Sequence, residues 1–216
     1  MSSYHVGLDL GQAADYTAIA VVEWTPDALK VRHLQRFALG TLYPAIVDAV
    51  AGLVSRLPGS PELAVDQTGV GRPVVDLLRV RGLRFDAVTI TGGDTATHDG
   101  QDWRVPKRDL VGAVAVALQN ERLKIARALP EAETLKRELL NFKVTIDPKT
   151  AHDSYSSWRE SDHDDLVLAV ALAVWSAERL GGCVAVPPSV LSDIARRRPK
   201  IPTMGGWNPR DGIPRL

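Results

Sequence analysis

The sequence is poor in the features that mark secreted and membrane proteins. It contains one cysteine, Cys183, so it can form no intramolecular disulfide, and this usage fits a reducing compartment. The first residues lack the basic region and apolar stretch of a signal peptide. The longest apolar run, residues 166–175, is too short to span a bilayer. These absences predict a cytoplasmic protein with no membrane association.

Net charge and a nucleotide-binding loop are absent as well. The 26 Lys and Arg residues are balanced by 26 Asp and Glu residues, so the chain has no overall attraction to nucleic acid. Any contact with DNA therefore has to use local basic patches. No Gly-x-x-x-x-Gly-Lys-Ser/Thr phosphate loop occurs in this sequence, so it contains no ATPase motor of the P-loop type.

The first part of the chain predicts an antiparallel meander followed by a helix. With 45% hydrophobic residues, the 216-residue chain can bury a sizeable core. Residues 5–10, 17–24 and 29–39 have strand-like patterns, and the short links between them favour antiparallel pairing. Residues 43–57 repeat apolar side chains at helical spacing.

From residue 63 onward, strands and helices alternate. A strand at 63–66, a helix at 72–80 and a strand at 85–90 imply parallel pairing with right-handed crossovers. The other predicted elements are a loop or protruding hairpin at 91–103, helices at 107–120, 131–141 and 162–180, and a short strand at 143–146. Together they predict an α/β fold whose mixed five-stranded sheet, three antiparallel strands and then parallel strands, is flanked by helices.

The composition changes after residue 182. Residues 183–216 are rich in proline and contain the run Arg196-Arg197-Arg198. Such a segment lacks the apolar periodicity of a packed element. We therefore expect one domain over residues 1–182 and an extended C-terminal tail over residues 183–216.

Acidic residues fall at the ends of two predicted strands. Asp9 lies on the first strand and Asp66 ends the strand that we expect beside it. If these strands are parallel, both carboxylates emerge at the same carboxyl edge of the sheet. Gly7 and Gly11 flank Asp9 on its own face and leave room for a close approach. A carboxylate within an apolar strand is costly to bury unless it is paired or bound to metal.

A third acidic element begins the last predicted helix. Asp165 shares a helical stripe with Ala169 and Ala173, whose small side chains suit close packing on a sheet. This pattern aims Asp165 at the sheet edge, with Asp164 adjacent and Asp162 one turn away. The alternative is that these acids only complement the helix dipole.

Carboxylates crowded at one edge would repel one another without cations between them. Ligand sets made only of oxygen select hard cations, so the expected cofactors are Mg²⁺ or Mn²⁺. Two such ions about 3.5–4 Å apart activate water and stabilise the leaving oxygen in phosphodiester hydrolysis. The acidic residues therefore predict a two-metal nuclease site.

Three motifs resemble those of the nuclease domain of the large terminase subunit of tailed phages. They are Gly-Leu-Asp9-Leu-Gly, Ala-Val-Asp66-Gln-Thr-Gly-Val-Gly and His-Asp164-Asp165-Leu-Val-Leu, in that order. The resemblance covers roughly residues 4–180. It implies an RNase H-like nuclease that cuts concatemeric viral DNA during genome packaging. Asp9, Asp66, Asp164 and Asp165 would then be the catalytic metal ligands.

The same resemblance implies partners and a setting. The substrate would be double-stranded DNA, and the protein would act in the cytoplasm of an infected or prophage-bearing bacterium. A full-length terminase carries its ATPase motor before the nuclease, so the chain is expected to be an excised domain, a split gene product or a solitary relative. A separate ATPase motor, a portal or a small terminase subunit are the implied partners.

Basic residues near the acidic motifs are the candidates for DNA contact. Arg72, Arg104, Lys107 and Arg108 fall in predicted loops or helix starts that border the acidic edge. Their alternative role is that of solvated surface charges.

Three other functions fit parts of the pattern. A Holliday-junction resolvase would share the sheet, acids and metals but prefer branched DNA. An actin-like or sugar-kinase-like ATP-binding domain also begins with a strand carrying Asp-Leu-Gly. A non-catalytic module would use the acids for structure only.

Overall fold

A computed structural model describes residues 2–11, 15–69, 72–145 and 164–181. Asp162 and the predicted tail at 183–216 lie outside the described residues. The side chains of Arg72 and of residues 141–145 lie outside them as well. No helix within the described ranges is both long and apolar enough to cross a membrane.

The described residues alternate between strands and helices. The strands are β1 (Ser3–Asp9), β2 (Ala18–Trp24), β3 (Leu29–Arg36), β4 (Glu62–Asp66), β5 (Asp86–Thr91), β6 (Thr97–Asp99), β7 (Asp102–Pro106) and β8 (Leu123–Ile125). The helices are α1 (Tyr43–Val54), α2 (Arg72–Val80), α3 (Lys107–Gln119), α4 (Ala132–Thr145) and α5 (Asp165–Gly181).

The strands form one mixed sheet in the order β6-β7-β5-β4-β1-β2-β3-β8. β1, β2 and β3 pair antiparallel, while β4 pairs parallel with β1 and β5 pairs parallel with β4. The predicted sequence of antiparallel and then parallel strands is therefore confirmed. Because β4 adds beside β1, the first strand becomes central and its carboxyl end lies next to that of β4.

The sheet differs from the prediction in its size and in one segment. It has eight strands within the described residues, not five, because the hairpin of β6 and β7 joins one edge and β8 joins the other. Strands of three residues, such as β6 and β8, are too short for alternation to be recognised. The predicted strand at 143–146 is wrong, since α4 continues to Thr145. There the helix overrides the local β preference of Val144 and Thr145.

Alternation along β1 separates two buried layers. Val6 and Leu8 pack with apolar side chains of α1 and α2 on one face of the sheet. Gly7 and Asp9 belong to the opposite face, against which α5 packs. A Cβ atom on Gly7 would lie 1.9 Å from the carbonyl oxygen of Ala169. Only glycine therefore lets the backbone of α5 rest directly on β1.

Candidate active site

Asp9 and Asp66 are neighbours across two parallel strands. They are register partners at the carboxyl ends of β1 and β4, where adjacent strands lie about 4.8 Å apart. Both residues are buried, with 7% and 6% of their surface exposed. Asp66 Oδ1 accepts a hydrogen bond from the backbone N–H of Thr68 at 2.7 Å, which fixes one side of its carboxylate.

Helix α5 brings the second pair of carboxylates to this edge. Asp165 is its first residue and is buried, and Asp164 precedes it in a half-buried position. The close approach at Gly7 involves Ala169, one turn after Asp165, so the helix start lies beside the end of β1. The residues whose small side chains predicted close packing, Ala169 and Ala173, are thus the ones whose backbone approaches β1.

The electrostatics of Asp9 show that the acids share one region. Burial raises the pKa of Asp9 well above its ordinary value, and the charges of Asp66, Asp165 and Asp164 raise it further. Lys107 acts in the opposite direction. Its Nζ lies 3.9 Å from Asp164 Oδ2, and only 13% of its side chain is exposed. The acidic edge therefore contains four carboxylates and one nearby ammonium group.

The chemistry of these donors fits hard divalent cations. All four groups offer carboxylate oxygens, and the pKa of Asp9 is raised first by burial and then by the three neighbouring carboxylates. In the part of the chain that the structure describes, no three His, Cys, Asp or Glu side chains are already arranged around a single ion position. Asp66 is hydrogen-bonded to its own loop, and Asp164 and Asp165 face Lys107 and Arg36. Binding of a cation would thus require these side chains to reorient.

Two charged residues that border the acidic edge are absent from the sequence-based prediction. Arg36, the last residue of β3, has Nη2 3.3 Å from Asp165 Oδ2 and donates a hydrogen bond to Glu138 Oε1. Glu138 Oε2 accepts the backbone N–H of Val167 at 3.1 Å, in the first turn of α5. Burial raises the pKa of Glu138 to about 7, although Arg36 and the Val167 N–H oppose this.

The sequence contains a signal for one of them. Glu138 continues the buried stripe of Ala132 and Leu135 at a spacing of three residues, so a charge occupies an apolar position of α4. Such a position predicts a buried ion pair. Arg36 gives no comparable signal, because its partners are remote in sequence.

The basic residues predicted to contact DNA occupy different surroundings. Lys107 begins α3 at the acidic edge. Arg104 lies within β7, not in a loop or helix start as predicted, and lines a groove of about 300 Å³ that also contains Gln67. Arg108 is exposed and pairs with Asp94 at 2.6 Å, so part of its charge is compensated. Arg72 begins α2, and its side chain lies outside the described residues.

A buried histidine lies further along the same face. His5 hydrogen-bonds to Ser176 at 3.1 Å and to Ser3 at 2.9 Å. Burial, and then the charge of Arg179, lower its pKa to about 4. Along β1, Asp9 lies near Asp165, Gly7 near Ala169 and His5 near Ser176. The residue numbers rise on α5 as they fall on β1, so the helix runs antiparallel to the strand.

Solved structures of terminase nucleases share this fold. The large terminase nuclease of thermophilic phage G20c matches with a TM-score of 0.56 and 20% identity, over 80% of this chain and 81% of that chain. The human cytomegalovirus terminase nuclease domain, Mn-soaked and inhibitor-bound, matches with a TM-score of 0.53 and 17% identity, over 83% and 85%. The large terminase of a second thermophilic bacteriophage matches with a TM-score of 0.53 and 14% identity, over 81% of this chain and 39% of that one. The sequence matches no protein-family model and no curated protein.

These likenesses establish the fold. The chain has the RNase H-like α/β fold of large-terminase nuclease domains, as its motifs predicted. With 39% of its length matched, the large terminase of the second phage is a much longer chain than the region in common.

Proposed function

We propose that this protein is a divalent-metal-dependent DNA endonuclease that uses two metal ions. The observation that carries the proposal is the group of carboxylates from β1, β4 and α5 that act together on Asp9. A fold used only as a scaffold has no need to bury three mutually repelling acids at one edge. The RNase H-like fold adds support, because the structures that share it are nucleases.

Asp9, Asp66, Asp164 and Asp165 are the residues that would hold the ions. When bound, two Mg²⁺ or Mn²⁺ ions supply an activated water and stabilise the leaving oxygen of a phosphodiester. The G20c nuclease has been solved with bound zinc and the cytomegalovirus domain after soaking with manganese. We extend divalent-metal binding to this chain on the basis of its own oxygen donors, which favour Mg²⁺ or Mn²⁺.

The remaining groups of the edge would orient the DNA. Lys107 keeps a positive charge beside Asp164, where it can contact a phosphate oxygen. Arg104 and Gln67 line the adjoining groove and present donors to the sugar–phosphate backbone. Arg72 and Arg108 stay candidates at the periphery, and Arg108 must first exchange Asp94 for a phosphate. None of these contacts distinguishes one base from another, so cleavage should tolerate many sequences.

Plasmid nicking tests the proposal directly. With Mn²⁺ or Mg²⁺ the parent protein should convert supercoiled plasmid to nicked and linear forms, and chelator should stop the reaction. Asp9→Asn and Asp66→Asn should reduce cleavage to background. Asp76→Asn is the matched control, since Asp76 is an exposed acid on α2 that pairs with Arg79 of its own helix. Cleavage at the parental rate by either edge variant would remove that residue from the site.

The substrate form separates the proposed nuclease from the resolvase alternative. We propose linear or supercoiled double-stranded DNA as the substrate, in the setting of viral genome packaging in a bacterial cytoplasm. In that setting an ATPase motor, a portal or a small terminase subunit on a separate chain would hold the DNA. A strong preference for cruciform over linear duplex would favour a Holliday-junction resolvase instead.

A further inference from the structure

Arg36 occupies the same row of the sheet as the acidic residues. Its register partner is Ala18 on β2, whose partner on the other side is Asp9, which in turn pairs with Asp66. Residues of one row on one face lie about 4.8 Å apart from strand to strand. The residue between Arg36 and Asp9 in this row is the small Ala18.

The guanidinium is held in place from several sides. It donates to Glu138, lies 4.7 Å from the centre of the Tyr16 ring and reaches Asp165 at 3.3 Å. Only 16% of the Arg36 side chain is exposed, and 6% of that of Glu138. A charge buried to this degree is weakly screened, so its effect on Asp165 is strong.

Glu138 connects this pair to the start of α5. The backbone N–H of Val167 is one of the first donors of the helix, which have no partner within the helix itself. One carboxylate therefore binds both the first turn of α5 and the arginine that contacts Asp165. The two contacts tie the position of the helix start to the position of the positive charge.

We infer that Arg36, oriented by Glu138, is a built-in counter-cation of Asp165 that exchanges with a divalent ion. In metal-free protein it neutralises Asp165 and keeps the start of α5 against β1. When an ion binds at the acidic edge, Asp165 turns from the guanidinium to the ion, and Arg36 stays paired with Glu138. Arg36 is thus a positioning residue, and the exchange step rests on the proposed metal site.

This inference predicts competition between Arg36 and metal. The double variant Arg36→Gln with Glu138→Gln removes one positive and one negative charge, so the formal charge of the pair is unchanged while Asp165 loses the contact with the Arg36 guanidinium. In chelator, the double variant should unfold at a lower temperature than the parent. Adding Asp165→Asn should lower the stability of the double variant by less than it lowers that of the parent. The double variant's apparent Kd for Mn²⁺ should fall about tenfold, the change that 1.4 kcal/mol makes.

A matched pair serves as control. Arg32→Gln with Glu23→Gln removes the same two residue types from β3 and β2, where Arg32 pairs with Glu23. This control should leave the Kd for Mn²⁺ at the parental value. Arg36→Lys, which keeps a positive charge, provides a second test if the double variant does not fold. The Kd for Mn²⁺ of Arg36→Lys should equal that of the parent, or lie between those of the parent and the double variant.

Titration of Mn²⁺ by calorimetry, with thermal unfolding in chelator, distinguishes the outcomes. Parental stability of the double variant in chelator would overturn the counter-cation role. A Kd for Mn²⁺ that is unchanged or higher in the double variant would overturn the exchange. Arg36 would then have a purely structural role. If the parent itself binds no Mn²⁺, the proposed metal site and the exchange both fail, while the unfolding measurements still judge the counter-cation role.

Discussion

The two faces of the sheet are built from different side chains. The face under α1 and α2 is packed with Val, Leu, Ile and Phe, for example Leu8, Ile19 and Val65. The face under α5 contains glycine and alanine at the central positions of the sheet, namely Gly7, Ala18, Ala20 and Ala64. On the face packed against α1 and α2, large side chains separate the helices from the sheet. On the face packed against α5, the small residues let the helix backbone contact the strands.

Buried polar groups follow the same division. Of the eight buried polar or charged residues in the described part of the chain, six lie on the α5 face or on the helices packed there: His5, Asp9, Asp66, Glu138, Asp165 and Ser176. Close backbone contact leaves little room for water, so each of these groups needs a partner within the protein. The α1/α2 face mainly stabilises the fold, whereas the α5 face carries most of the buried polar groups and their energetic cost.

The largest effect is expected from Gly7→Ala, which tests the close contact itself. The added methyl group would overlap the carbonyl of Ala169, so α5 must move, and we expect a loss of roughly 3 kcal/mol or more in the free energy of unfolding. Gly112→Ala on α3 is the control, because its Cβ would meet nothing within 4 Å. It should stabilise the protein by about 0.5–1 kcal/mol. Urea unfolding measures both, and a neutral Gly7→Ala would remove the basis of the comparison.

The next effect is the acid sensitivity conferred by His5. Its pKa is about 4 in the folded protein and 6.5 when unfolded, so the unfolded state binds the proton first as the pH falls. Stability contributed by neutral His5 is complete above pH 6.5 and is lost towards pH 4, by roughly 3 kcal/mol. His5→Asn should remove this part of the pH dependence, measured as the free energy of unfolding between pH 4 and 7. A parental slope in the variant would contradict the assignment.

Glu138 should act in the opposite direction, through a pKa shift of similar size. Its pKa rises from 4.5 to about 7 on folding, so the folded state retains the proton longer as the pH rises. The stability that protonated Glu138 contributes is complete below pH 4.5 and is lost towards pH 7. Glu138→Gln should lower overall stability by breaking contacts with Arg36 and Val167, yet flatten this loss between pH 4.5 and 7. The decisive measurement is the change in the free energy of unfolding between pH 4.5 and 7, not its absolute value.

The smallest stability change is expected for Asp9→Asn. Replacing a buried carboxylate whose pKa is raised by burial and by Asp66 removes repulsion, so metal-free protein should gain about 1 kcal/mol or remain unchanged. The gain in unfolding temperature caused by millimolar Mn²⁺ should shrink in the same variant. Val6→Ala is the counterpart from the other face: it should lose about 2 kcal/mol in chelator and keep the full response to Mn²⁺.

Local patterns were sufficient for most of the fold. The bounds of α2 agree with its predicted range, since apolar spacing and flanking turns define a short helix well. The neighbouring positions of β1 and β4 followed from connection rules, and they bring Asp9 beside Asp66. The three-residue strands and the full length of α4 could not be predicted, because tertiary pairing decides them.

The ligand roles of the four acids stay predictions, although the structure brings their carboxylates together. What the sequence could not reveal is their cationic surroundings. Arg36 meets Glu138 across 102 positions of the chain, and no periodicity links a strand end to a distant helix. An ion pair such as that of Arg36 with Glu138 can be recognised only when the register of the strands in the sheet is known.

The order of elements also has a consequence for when the acidic edge is complete. Its carboxylates stand at positions 9, 66, 164 and 165, and the last two begin the final helix among the described residues. During synthesis the sheet strands leave the ribosome first, and α5 can dock on β1 only after its own residues have emerged. A nascent chain that ends before Asp164 therefore lacks half of the acidic edge. The late emergence of α5 therefore delays the complete site. Contacts of such long sequence separation are also slow to form during folding.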